Sequence, residues 1–149
     1  MSPVNYEVRL LRSGDESTLE RVEPDVFDNP VQPDLAARYL ADPNNLLAVA
    51  IRDGEVVGMA SGLMYLHPDK PLQLFVNEVG VAASCRGQGM GKRLVQALLE
   101  QARIRGCTEA WVATELANAP ARALYAAMKG AEDADHAVIY TWRLAGLGS

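Results

Sequence analysis

The chain has 149 residues, 49% of them hydrophobic and 22% charged, the composition of a globular protein large enough to bury a real core. Its formal charge of −5 argues against non-specific nucleic-acid binding, which wants a basic face. No apolar run approaches a membrane span, and the two cysteines, Cys85 and Cys107, make neither a disulfide framework nor a metal set.

The opening residues Met1 to Leu10 contain no apolar core of signal-peptide length, so a cytoplasmic protein is expected, with one domain spanning residues 1–149. Tyr6 to Leu11 reads as a first strand and Gly14 to Val22 as a helix with Asp15, Glu16 and Glu20 on its exposed side. Asp25 to Asp34 carries two prolines and three aspartates, a loop before a short helix at about Leu35 to Ala41. Such a loop is either solvated or a wall for a cationic substrate, in which case Asp28 is the residue of choice.

Leu46 to Ile51 is a continuous apolar run and reads as a buried strand. Asp53-Gly54 is a hairpin signal leading into a long strand from Glu55 to Leu66, in which Gly58 and Gly62 predict a bulge or close packing. After a turn at residues 67–71, another strand runs from about Leu72 to Val81. A glycine-rich turn, Arg86-Gly87-Gln88-Gly89-Met90-Gly91-Lys92, then opens a helix from Lys92 to Arg105 that Gly106 closes. Ala110 to Thr114 reads as a strand. Asn118 to Gly130 reads as a helix capped by Asn118, with Pro120 in its first turn and Ala121, Leu124, Tyr125 and Met128 on one stripe. Val138 to Trp142 is the expected closing strand and Ala145 to Ser149 a frayed tail. The order is that of an α/β fold: a βαβ unit built on an otherwise antiparallel, mixed sheet.

The glycine turn is the centre of the functional reading. Glycine permits positive φ and close backbone approach, and the first N–H groups of the following helix are unpaired at the positive end of its dipole. That makes an anion site, to which Arg86, Lys92 and Arg93 add charge. Two familiar phosphate motifs fail on these letters. A P-loop wants Gly at position 86 and Ser or Thr at 93, and a dinucleotide fingerprint wants its third glycine at 92.

Arg-x-x-Gly-x-Gly after a strand ending Glu78-Val79-Gly80-Val81 resembles instead the acetyl-coenzyme A loop of the GNAT N-acetyltransferase superfamily. The resemblance is strongest from Glu78 to Gly130 and includes a second signature, Asn118-x-x-Ala121-x-x-Leu124-Tyr125. It departs after Gly130, where the family usually has a second glycine or an aromatic and this chain has Ala131. The fold implied is a mixed, mostly antiparallel sheet with helices on both faces and two strands splayed around the acetyl-coenzyme A cleft. The coenzyme site implied comprises Val79, Gly80, Val81, Arg86, Gly87, Gln88, Gly89, Met90, Gly91, Lys92, Asn118 and Tyr125.

From periodicity alone Tyr125 is a core aromatic with its hydroxyl at the edge. By resemblance it protonates the departing thiolate, a task suited to a phenol with a pKa of ~10. Glu78 is read either as the base that takes the amine proton, directly or through water, or as a carboxylate that only binds the substrate cation. The N–H near Val79 is expected to polarise the acetyl carbonyl. The transfer implied is direct and requires no metal.

Within the superfamily, the Glu-Val-Gly-Val strand, the Pro-Ala-x-Ala-Leu-Tyr helix and the acidic run from Glu132 to Asp135 look like the aminoglycoside 3-N-acetyltransferases. Glu78, Glu115, Asp133 and Asp135 are then expected to line a polycation site, or else the acidic run is a solvated loop. Three readings stay open: an aminoglycoside acetyltransferase of the resistance type, an acetyltransferase of another small amine, polyamine or peptide amine, and a coenzyme A-binding regulatory module without turnover. The partner expected is a small-molecule amine, with no nucleic acid and no membrane. Dimers are common in the superfamily.

Overall fold

The computed structural model describes residues 5–145. Residues 146–149 of the expected tail lie outside that range.

Five strands form one mixed sheet in the order β1 (Glu7–Leu10), β2 (Asn45–Arg52), β3 (Glu55–His67), β4 (Lys70–Val81) and β5 (Glu109–Val112). The first four pair antiparallel and β5 joins β4 in parallel. Three α-helices accompany them: α1 (Pro33–Ala41), α2 (Met90–Ile104) and α3 (Ala119–Ala127). The β2–β3 hairpin turns on Asp53 and Gly54 with φ of 53° and 75°, the pair of left-handed residues that a tight hairpin of matching twist requires.

The glycines of β3 are the places where a helix meets the sheet closely. A Cβ on Gly58 would stand 2.8 Å from the Met90 sulfur and 3.0 Å from Leu94, and one on Gly62 would stand 2.9 Å from Leu74. Both point at the α2 face, where Met90, Leu94 and Leu98 are buried against the sheet. Ser61, one residue out of phase, points to the other face. There α1 lays Tyr39 across β2 and β3, its hydroxyl donating to the carbonyl oxygens of Leu46 at 2.6 Å and Gly62 at 3.2 Å. Burial pushes the Tyr39 phenol up to about 12, opposed by its hydrogen bonds to Gly62 and Ser61 and reinforced by the charge of Glu78.

Two expected elements differ. The helix expected over residues 14–22 is a short 3-10 helix, Glu16–Glu20. It stops because Arg21 and Glu23 exchange backbone bonds with Val56, drawing the chain extended beside β3. The closing strand expected at Val138 to Trp142 does not form: these residues have no strand partner among the described residues and their large apolar side chains are exposed. Among the described residues the sheet therefore ends at β5.

Candidate active site

The turn after β4 is shaped by two left-handed glycines, Gly87 and Gly89, at φ of 75° and 79°. A Cβ on either would meet nothing within 4 Å, so the requirement there is conformational and the space above the turn is open. Gly89 is the N-cap of α2 and offers no capping side chain, which leaves the first N–H groups of the helix for a ligand. Arg86 donates its Nε to the Val81 carbonyl at 3.1 Å, tying the turn to the end of β4. Lys92 faces the cleft, whereas Arg93 lies over the Tyr6 ring, 4.8 Å from its centroid. The Met90 side chain is buried against Gly58, so at this position only the backbone belongs to the turn's open side. Gln88 does not line the cleft either.

The cleft itself comes from the divergence of β4 and β5. Their pairing stops at Val76 and Val112, after which β4 runs on to Val81 while the other chain leaves through Ala113 toward α3. The opening, of about 1040 Å³, is lined by Glu78 to Val81, by Arg86, Gly87, Gly89, Gly91 and Lys92 of the turn, and by Asn118 and Tyr125. Asn118 caps α3, accepting at Oδ1 from the Ala121 N–H at 3.1 Å. Leu124 of α3 faces Gly91 of α2, so the helix carrying Tyr125 is seated against the start of the glycine-turn helix. Tyr125 is half-buried, and that burial pushes its hydroxyl above the ordinary phenol value.

Glu78 owes its direction to one extra residue. Ser61 pairs with Glu78 and Gly62 with Val76, which leaves Asn77 as a bulge in β4. Upstream of it Leu74 and Val76 are buried on the α2 face; downstream Val79 and Val81 approach Gly91 on that same face. The bulge thus sends Glu78, which uninterrupted alternation would turn to the α2 face, to the face of Ser61. Gly80 follows on that face and is needed for a close approach: a Cβ there would stand 2.0 Å from the Val26 carbonyl oxygen. The loop carrying Asp25 and Asp28 is thereby pressed against β4, and both acids line the cleft with Glu78 and Glu115.

Asp25 was not singled out from the sequence, although Gly80 inside a strand was a signal that another backbone comes near. Asp133 and Asp135 are not among the cleft residues. Arg122, on the outward side of α3, holds the neighbouring Glu132 through Nε at 2.9 Å and Nη2 at 3.1 Å, with His136 at 3.7 Å, and this keeps the acidic run outside. Among the described residues no helix is long and apolar enough to cross a membrane.

A model of the Acetyltransferase (GNAT) family matches residues 14–130. L-2,4-diaminobutyric acid acetyltransferase of Virgibacillus pantothenticus is 45% identical over 56 residues, 38% of this chain and 34% of that protein. N-acetyltransferase 8B of Rattus norvegicus is 32% identical over 117 residues, 76% of this chain and 52% of the other. The chain thus spans about a third to a half of the length of these curated relatives. Among solved structures, the aminoglycoside acetyltransferase meta-AAC0020 from an uncultured soil metagenomic sample superposes with a TM-score of 0.77 over 93% of this chain and 97% of its own. At 21% identity that likeness is one of fold.

Proposed function

From the premise that this chain belongs to the GNAT acetyltransferase family, and is therefore an acyltransferase of a family that uses acetyl-coenzyme A, we propose that its acceptor is a polycationic amine of the aminoglycoside kind. The observation that carries this reading is the gathering of four carboxylates, Asp25, Asp28, Glu78 and Glu115, on one cleft with the glycine turn and Tyr125. Charge-assisted hydrogen bonds from such a wall hold ammonium groups and leave one amine near the acetyl donor.

The residues of the turn fit the coenzyme, with open glycines, uncapped helix N–H groups and the charges of Arg86 and Lys92 toward its phosphates. The coenzyme supplies an acetyl group activated as a thioester. Glu78, exposed on the loop-facing side of β4, takes the proton that the attacking amine must lose, directly or through a water. The N–H groups beside the bulge, near Val79, polarise the acetyl carbonyl. Tyr125, whose raised pKa keeps its hydroxyl protonated at neutral pH, donates to the sulfur as it leaves.

A second reading, a smaller diamine as acceptor, is favoured by the stretch shared with the diaminobutyric acid acetyltransferase. Thiol release from acetyl-coenzyme A against gentamicin-type and kanamycin-type aminoglycosides, diaminobutyrate, polyamines and short peptides separates the two. Turnover with aminoglycosides at kcat/KM at least tenfold above the others is the expected outcome, and NMR of the product then gives the amino position. Turnover confined to diaminobutyrate or to peptides retires the aminoglycoside proposal.

A further inference from the structure

The cleft lies at one end of the sheet, and the other end holds a second cavity, of about 530 Å³. It opens where β1 runs out and the C-terminal ends of α1 and α2 converge, Arg105 donating from Nη1 across to the Pro43 carbonyl at 3.3 Å. Gly91, in the first turn of α2, lines the cleft, whereas Gln101 and Arg105 line the cavity, about 15–21 Å further along the helix axis. The two sites share no lining residue.

Three leucines, Leu11, Leu40 and Leu46, form the floor of the cavity and are 5%, 5% and 6% exposed. Around them the rim is polar and its charges do not balance, for Arg12 and Arg105 stand against Asp42 alone. Asp42 is already engaged, its Oδ1 accepting from the Asn44 N–H at 2.9 Å. Neither guanidinium has a carboxylate within 4 Å among the described residues, in a chain whose formal charge is −5. Two helix C-termini would draw a cation here if their carbonyls were open. They are closed from within. The carbonyls of Gln101, Ala102 and Arg103 accept from the N–H groups of Arg105, Cys107 and Gly106, and that of Tyr39 accepts from the Asp42 N–H and from Asn45 Nδ2. What this end of the molecule has left to offer a ligand is donors above an apolar base.

We propose that the cavity binds a small monocarboxylate with an apolar body, an aliphatic or aromatic acid, its head on Arg12 and Arg105 and its body on the leucines. Each part of that class answers a part of the lining. A guanidinium holds a carboxylate through paired N–H donors. The surplus of one positive charge on the rim suits a monoanion, whereas a sugar phosphate or another wholly polar anion would leave the leucine floor unmatched. The volume falls in the range of ~300–1,000 Å³ common to small-molecule sites.

Calorimetry of the full chain with 3-phenylpropionate tests this, with coenzyme A at saturation so that the glycine turn is filled. The expected Kd is about 1 mM or tighter, with 3-phenylpropanol and 3-phenylpropylamine at least tenfold weaker because both lack the charge that the arginines take. In the 15N-edited NMR spectrum of the same complex, the amides of residues 10–13, 40–46 and 101–105 should shift. The Arg12→Gln, Arg105→Gln chain should lose at least tenfold in affinity for the acid while its circular dichroism and coenzyme A affinity persist. Should that chain fail to fold, Gln101→Glu carries the same expectation, since it keeps the shape of the side chain and puts a carboxylate on the rim. A Kd weaker than that limit overturns the proposal, as does affinity for the alcohol or the amine within tenfold of that for the acid. Shifts confined to residues 78–92 place the acid in the cleft and overturn it too, and so does affinity kept in a folded variant. None of these readouts depends on which amine is acetylated.

Discussion

Tyr125 stands where two independent demands meet. Its ring belongs to the stripe that seats α3, the residue lines the cleft, and burial raises the pKa of its hydroxyl. Replacing it with Phe keeps the ring and removes only the proton donor. Turnover should fall about 10²-fold to 10⁴-fold, the usual worth of a positioned general acid, while coenzyme A affinity measured by calorimetry stays within about twofold. Turnover unchanged in that variant would remove Tyr125 from the proton transfer. Helical spacing put this residue on a stripe with Ala121, Leu124 and Met128, and the structure half-buries all four, whereas its role as proton donor was implied by the resemblance alone. Asp25 was not legible in that way, since nothing in its own neighbourhood distinguishes one aspartate of the loop from the next. What brings it to the cleft is Gly80, some fifty residues later in the chain.

At the scale of elements, the contact between β4 and the loop before α1 is the join that aligns acceptor and donor. Gly80→Ala places a methyl against the Val26 carbonyl, backbone against backbone, so the loop must withdraw. We expect a stability loss of about 1–3 kcal/mol in denaturant titration. The KM for the amine should rise by on the order of tenfold or more, since small misplacements of substrate-positioning groups are costly. An unchanged KM would show that the loop takes no part in acceptor binding. The strands up to β5 and the three α-helices were legible from runs, alternation and turn residues. The bulge left its own trace, a change in the phase of apolar residues from Leu74 and Val76 to Val79 and Val81. The 3-10 helix and the unpaired segment at 138–142 were not legible, because pairing is decided elsewhere in space: Val56 truncates the one, and the other has strand-like letters but no strand partner among the described residues.

For the molecule as a whole, Tyr39 is the residue that couples α1 to the middle of the sheet. Its phenol titrates near 10 when unfolded and at about 12 when folded. The folded state holds the proton longer, so the contribution is fully present below pH 10 and is lost as pH rises from 10 toward 12. Equilibrium unfolding should show a loss of ~2–3 kcal/mol over that window. Tyr39→Phe should flatten that slope while lowering stability at neutral pH by about 1 kcal/mol, the worth of its bonds to Leu46 and Gly62. A wild-type slope unchanged by the substitution would exclude Tyr39 as its source. The bulge at Asn77 bears on how such a chain can vary. Replacing Asn77 by another residue leaves the phase of β4 as it is, and removing it would make Val76 and Glu78 consecutive opposite Gly62 and Ser61, a regular ladder that keeps Glu78 and Gly80 on the Ser61 face and Val79 and Val81 on the α2 face. An alignment gap at residue 77 would therefore mark a straightened strand whose tip keeps its chemistry.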